Sequence, residues 1–190
     1  MKLLKRTRAL LIAPAAEWQS IAEERAEVPA VYSSHIAILA AIPALSILAG
    51  LAISGGRYLG AAAIVTAVTA ALVSYGIELA MPWALGIFLT AAAARFKSHG
   101  TMDEGVRLIG YAMTPFWIAG LSYLVVGLAP IVAIGGIYSV YLFFLGLTPI
   151  MDTPSEQRVP FTLVTLIAAL GLNAAFAWIV RVVGLPHYGL

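Results

Sequence analysis

Between Tyr58 and Ala94 the chain runs for thirty-seven residues with one carboxyl side chain, Glu78, one proline, Pro82, and no basic residue. As a helix this stretch is about 55 Å long, well beyond the roughly 30 Å of a bilayer's hydrocarbon core. A carboxyl group inside such a run is costly unless it has a partner or a task. Pro82 stands four residues after Glu78 and lacks the N–H that would bond the Glu78 carbonyl, so the break in the helix ladder and the acid coincide.

The rest of the composition agrees with that stretch. With 62% hydrophobic and 11% charged residues, 190 residues cannot cover a soluble domain with a polar surface. The fold class expected is all-α, a polytopic membrane bundle of five transmembrane helices preceded by an amphipathic interfacial helix. The net charge of +2 comes without a basic stripe interleaved with aromatics, so no nucleic-acid partner is expected. Cysteine is absent, which removes disulfides, thiolate metal sites and a thiol nucleophile.

Residues 1–30 read as a cytoplasmic segment. Lys2, Lys5, Arg6 and Arg8 precede the short apolar run Ala9-Leu10-Leu11-Ile12, too short for a signal peptide and closed by Pro14. Pro14 opens a helix in which Trp18, Ile21 and Ala22 share one face while Glu17, Glu23, Glu24 and Glu27 point elsewhere. Two readings stand: a membrane-surface helix anchored by Trp18 and Ile21, or a helix packed on its own protein.

Residues 31–190 then hold five spans, at about 34–53, 58–94, 108–128, 131–150 and 160–183. The second stretch is long enough to be two spans turning at Glu78, and charge decides against that. With five spans and the N-terminus inside, nine of the eleven Lys/Arg residues lie on the cytoplasmic side, leaving only Arg57 and Arg181 opposite. A sixth span would erase this bias. The C-terminus is therefore placed on the far side.

The order of features resembles the Yip1-domain membrane proteins, in a short prokaryotic form. The residues that carry it are the segment Leu11 to Glu24, Tyr111-Ala112-Met113-Thr114-Pro115 opening the third span, and Ile137 to Leu142 running into Gly146-Leu147 in the fourth. The resemblance covers nearly the whole chain and implies a compact five-helix bundle with a cytoplasmic N-terminus. Eukaryotic members are associated with Rab GTPases and early secretory traffic; the short, alanine-rich form here points to a bacterial inner membrane.

Counting rise per residue from the cytoplasmic ends puts Glu78, Tyr123, Tyr138 and Asn173 all about 20–26 Å up their spans. These four form the candidate intramembrane polar or ion site, since tyrosine and asparagine hydrogen-bond a carboxyl in either protonation state. A static polar core that fixes helix registry fits the same residues. Gly56 and Gly60, with Gly127, Gly135 and Gly136, suggest close helix contacts toward the far side, within the bundle or between copies.

No catalytic constellation is found. His35, His99 and His187 have no zinc spacing, Ser122 lacks the glycines of a nucleophile elbow, and Gly100, Gly105 and Gly110 follow no strand. No metal and no cofactor is expected. The partners expected are the lipid bilayer and protein partners or further copies of the chain. The function expected is that of a non-enzymatic membrane protein that organises membrane or binds proteins, with a small proton-coupled or cation transporter or channel built on Glu78 as the alternative.

Overall fold

The computed structural model describes residues 2–24, 26–53, 60–125, 127–128 and 130–183, and these form an all-helical membrane bundle. Four helices are long and apolar enough to cross a bilayer: Val28–Ile53, Ile64–Phe96, Ile131–Met151 and Ser155–Val182. They are built from α3 (Val28–Val31) with α4 (Ala37–Ile53), from α5 (Ala61–Ala92), α8 (Ile131–Met151) and α9 (Ser155–Val182). The long second stretch is one helix of 32 residues that continues through Pro82, so it counts as one crossing and not two. Near the proline, the Tyr32 hydroxyl donates to the Leu79 carbonyl at 2.8 Å, giving the weakened ladder a donor from outside. The turn Ser54-Gly55-Gly56-Arg57 lies outside the described residues.

The third crossing, expected as one helix over 108–128, is built in pieces. It begins earlier, as α6 (Met102–Ala112), continues as α7 (Thr114–Ala119) and ends as a 3-10 segment, Gly120–Leu124. Thr101 and Glu104 form a reciprocal capping box, which turns what reads as a charged loop into a helix start. The break at Met113 follows from Pro115, whose missing N–H frees the Tyr111 carbonyl. Ser139 of α8 closes the gap: its Oγ accepts from the Phe116 N–H at 3.2 Å.

At one end of the bundle, hereafter the lower end, the loops are buckled together. The Ser98 hydroxyl donates to the Met151 carbonyl at 2.7 Å and lies 2.8 Å from Thr153 Oγ1, while the His99 N–H bonds the Met151 carbonyl at 2.9 Å. Phe96 and Phe161 stack there with centroids 4.5 Å apart, fixing the foot of α5 against α9.

The N-terminal segment departs most from expectation. It is a helical hairpin of α1 (Lys2–Ile12) and α2 (Pro14–Glu24), where only the second helix is apparent from sequence. Arg6 of α1 pairs with Glu17 at 3.2 Å and with Glu24, clamping the two helices. The Tyr138 hydroxyl donates to the Leu11 carbonyl at 2.9 Å, Trp18 lies against Gly146, and Ala22 and Glu23 lie by Pro149 and Ile150. Thus α2 runs beside α8 in the same direction, and the hairpin tip stands about 20 Å up α8 from Met151. Trp18 and Ile21 are 0% and 2% exposed. They are core residues of the bundle and not anchors on a lipid surface, which corrects the first of the two readings above. The period of an apolar stripe shows that a face is buried, not against what; Gly146 leaves the space the indole fills.

Of the glycines expected at close contacts, Gly135 alone bears that out among those described. A Cβ there would sit 2.5 Å from the Ala119 Cβ and 2.7 Å from the Pro115 carbonyl, whereas Gly136 meets only Phe116, at 3.9 Å. Gly60 and Gly127 have nothing within 4 Å, Gly127 instead serving a turn at φ +96°. Gly135→Ala is therefore expected to lower stability by about 1–3 kcal/mol through overpacking. Gly136→Ala should raise it slightly through helix propensity. Thermal unfolding of the two variants side by side in the same detergent checks the pair.

Candidate functional site

Glu78 projects from the middle of α5 toward the third crossing, where the Trp117 indole Nε1–H donates to Glu78 Oε2 at 2.8 Å. Trp117 is fully buried and belongs to the main hydrophobic core, so its N–H requires an acceptor, and α5 supplies one. The break at Met113 sets where α7 carries this side chain. Oε1 of the same carboxyl group has no hydrogen-bond partner among the described residues, and Glu78 lines a cavity of about 760 Å³.

The cavity occupies the upper half of the bundle. Its walls come from α4 (Pro43, Ile47 and Gly50), α5 (Ser74 and Glu78), the 3-10 segment (Gly120 and Tyr123) and α9 (Asn173 and Arg181). The α4 wall is held tightly: a Cβ on Gly50 would fall 2.6 Å from the Tyr123 carbonyl. Ser74 lies one turn from Glu78 on the same helix, so α5 presents both polar groups to the cavity.

Three of the four residues expected at the site, Glu78, Tyr123 and Asn173, therefore line one cavity. Tyr138 does not; its hydroxyl is spent on the Leu11 carbonyl, so it joins the hairpin to α8. The direction of Tyr138 around α8 takes it to α1 and not to the cavity. The residues missed are Trp117, the direct partner of Glu78, and Arg181, the base in the cavity wall.

A second polar cluster lies lower, between the hairpin and the broken crossing. His35, 2% exposed in the π-helical turn Tyr32–Ile36, has Nε2 2.9 Å from Thr114 Oγ1 and its ring 4.7 Å from that of Tyr111. Arg6 lies over the Tyr111 ring at 5.6 Å. Thr114 is the first residue of α7, so this cluster ties the hairpin and α4 to the break that aims Trp117. Among the described residues no group of three or more His, Asp or Glu side chains is arranged to hold a metal ion.

The fold and the cavity define a small polytopic membrane protein with a polar site between its helices. The Yip1 domain family model matches residues 8–180, and the chain belongs to that family. It is similar to the inner membrane protein YohC of Escherichia coli strain K12, with 27% identity over an alignment of 184 residues that covers 93% of each chain. The YohC of an E. coli O6:H1 strain is similar to the same extent. No solved structure matches.

Proposed function

We propose that this chain is a non-enzymatic inner-membrane protein of the Yip1 type whose working site is the cavity at Glu78, a proton-coupled or cation-binding site of a small transporter. The observation that carries this reading is a carboxyl group with one oxygen held by Trp117, on a residue that lines a cavity of about 760 Å³. A polar group kept only for helix registry needs no open space at its side, whereas Glu78 lines one cavity with Ser74, Tyr123 and Asn173. Arg181 in the same wall disfavours a bare metal cation and favours a proton carried by the Glu78 carboxyl group. The inner-membrane location rests on the similarity to YohC. The lower end, with its hairpin and most of the basic residues, is assigned to the cytoplasm and the C-terminus to the opposite side.

The test is proton and cation flux in proteoliposomes. Wild-type chain is expected to move protons, and Glu78→Gln to abolish the flux with folding intact. Wild-type vesicles that carry neither protons nor cations above empty ones sink the proposal.

A second reading, in which the bundle organises membrane or binds proteins or further copies of itself, is favoured by the outer face of α1. Leu4 and Ile12 are 77% and 69% exposed there, and Lys5 and Arg8 are exposed on the same face. Leu4→Asp with Ile12→Asp is then expected to weaken association between copies or with bound proteins, followed by light scattering and co-purification. Association unchanged by both substitutions removes this face from consideration.

A further inference from the structure

At the lower end, where α2 and α6 meet the C-terminus of α8, a second cavity of about 410 Å³ is lined by Glu23, Glu104, Arg107 and Asp152. Arg107 is 4% exposed, and its Nε and Nη1 have no hydrogen-bond partner among the described residues. Its nearest carboxylate is one helical turn away, with Nη2 4.0 Å from Glu104 Oε1. The other Glu104 oxygen, Oε2, is committed to the helix cap, accepting from the Thr101 N–H at 2.7 Å and from its hydroxyl at 3.0 Å. A buried guanidinium this poorly matched is costly, and an anionic oxygen brought into the cavity supplies what it lacks.

A simple anion does not suit the rest of the wall. Glu23 and Asp152 are exposed carboxylates on the other elements that line the cavity, and neither is hydrogen-bonded among the described residues. The wall therefore presents one buried cation and, away from it, carboxylates free to accept. The complementary ligand carries a negative group for Arg107 and, a few ångströms away, an ammonium with N–H donors for Glu23 and Asp152. Asp152 caps the end of α8 where the apolar span stops, so the cavity stands at the level where lipid headgroups begin.

We propose that this cavity binds a zwitterion with a phosphate beside a primary ammonium, the chemistry of phosphoethanolamine, supplied by a lipid headgroup or by the free compound. This is independent of the Glu78 cavity, which lies in the other half of the bundle. The experiment is binding to the purified full chain in detergent, followed by native mass spectrometry. The probes are short-chain phosphatidylethanolamine, phosphatidylglycerol and phosphatidylcholine, with free phosphoethanolamine as competitor.

Phosphatidylethanolamine is expected to bind about tenfold tighter than either of the others, since one lacks the ammonium and the other its N–H donors. Glu23→Gln with Asp152→Asn, both on exposed side chains, should erase that preference. Arg107→Lys should weaken all phosphate-bearing lipids. Competition by free phosphoethanolamine identifies the headgroup alone as sufficient; its failure to compete, with the lipid preference intact, assigns the site to lipid. Equal binding of phosphatidylglycerol and phosphatidylethanolamine, no binding of any probe, or a preference that survives the double substitution each overturns the proposal.

Discussion

Trp18→Ala is expected to be the most destabilising single substitution in the chain, costing about 3–5 kcal/mol and lowering the unfolding temperature in detergent by many degrees. The indole is 0% exposed and fills the hollow left by Gly146, packing on Leu108 and edge-on to Tyr111 with centroids 6.4 Å apart. Truncation leaves a cavity bounded by α2, α6 and α8 together, and rigid helices anchored elsewhere close it poorly. The Arg6 ion pairs lie within the hairpin, and its other ties to the bundle include buried Leu10 and Ile21, Arg6 over the Tyr111 ring and the Tyr138–Leu11 hydrogen bond, so its docking is expected to fail locally before the bundle unfolds. Trp18→Phe separates packing from polarity. The Trp18 Nε1–H has no partner among the described residues, so phenylalanine loses some contact but also removes a buried orphan donor, and a cost below about 1.5 kcal/mol is expected. Protection of the α1 and α2 amides in hydrogen exchange checks both variants. A Trp18→Ala protein with native protection in the hairpin contradicts the packing described.

The class of the molecule and the run of its crossings were legible because they depend on quantities that add along the chain: apolar length, charge bias and the positions of prolines. That Tyr58 to Ala94 holds one crossing follows from the side on which Arg95, Lys97 and Arg107 must lie, and the single helix Ala61–Ala92 agrees with it. Rise per residue likewise hardly depends on context, and Glu78, Tyr123 and Asn173, at similar counted heights, line one cavity. What failed was everything that depends on direction around a helix axis in an apolar sequence. In a soluble helix the polar face marks the outside, but lipid is as apolar as the core, so Tyr138 carries no sign of which neighbour it faces. Trp18 was ambiguous on the same ground. The pairing of Glu78 with Trp117 had a signal too weak to use: a buried indole needs an acceptor and Glu78 is the intramembrane acid, but Trp83 and Trp178 made the same claim. Pro115 was visible as a break, yet its consequence, a shift in the direction Trp117 takes, appears only once Ser139 is seen closing the gap.

Flux is expected to respond to Glu78 and Trp117 in a graded order that a structural role does not produce. Glu78→Gln keeps the shape of the side chain and an acceptor for the Trp117 N–H while removing the exchangeable carboxyl proton, so stability should change by less than about 1 kcal/mol while flux is lost entirely. Trp117→Phe does the reverse. It keeps the carboxyl group and removes the 2.8 Å hydrogen bond that holds Oε2, at a cost of about 1–3 kcal/mol in stability, and frees Glu78 toward the cavity. Flux should then fall only partly, by about tenfold or less, because the carboxyl is present but less well placed. Glu78→Asp, which retains the proton but withdraws it by one methylene from both Trp117 and the cavity, is expected between the two. If instead Glu78 is a registry contact at the Pro82 break, stability rather than flux ranks the variants. Trp117→Phe is then the most damaging of the three, and Glu78→Gln behaves as wild type in every assay. Measuring proton flux and unfolding temperature on the same three preparations distinguishes these orders, since the two readings predict opposite rankings for Glu78→Gln and Trp117→Phe.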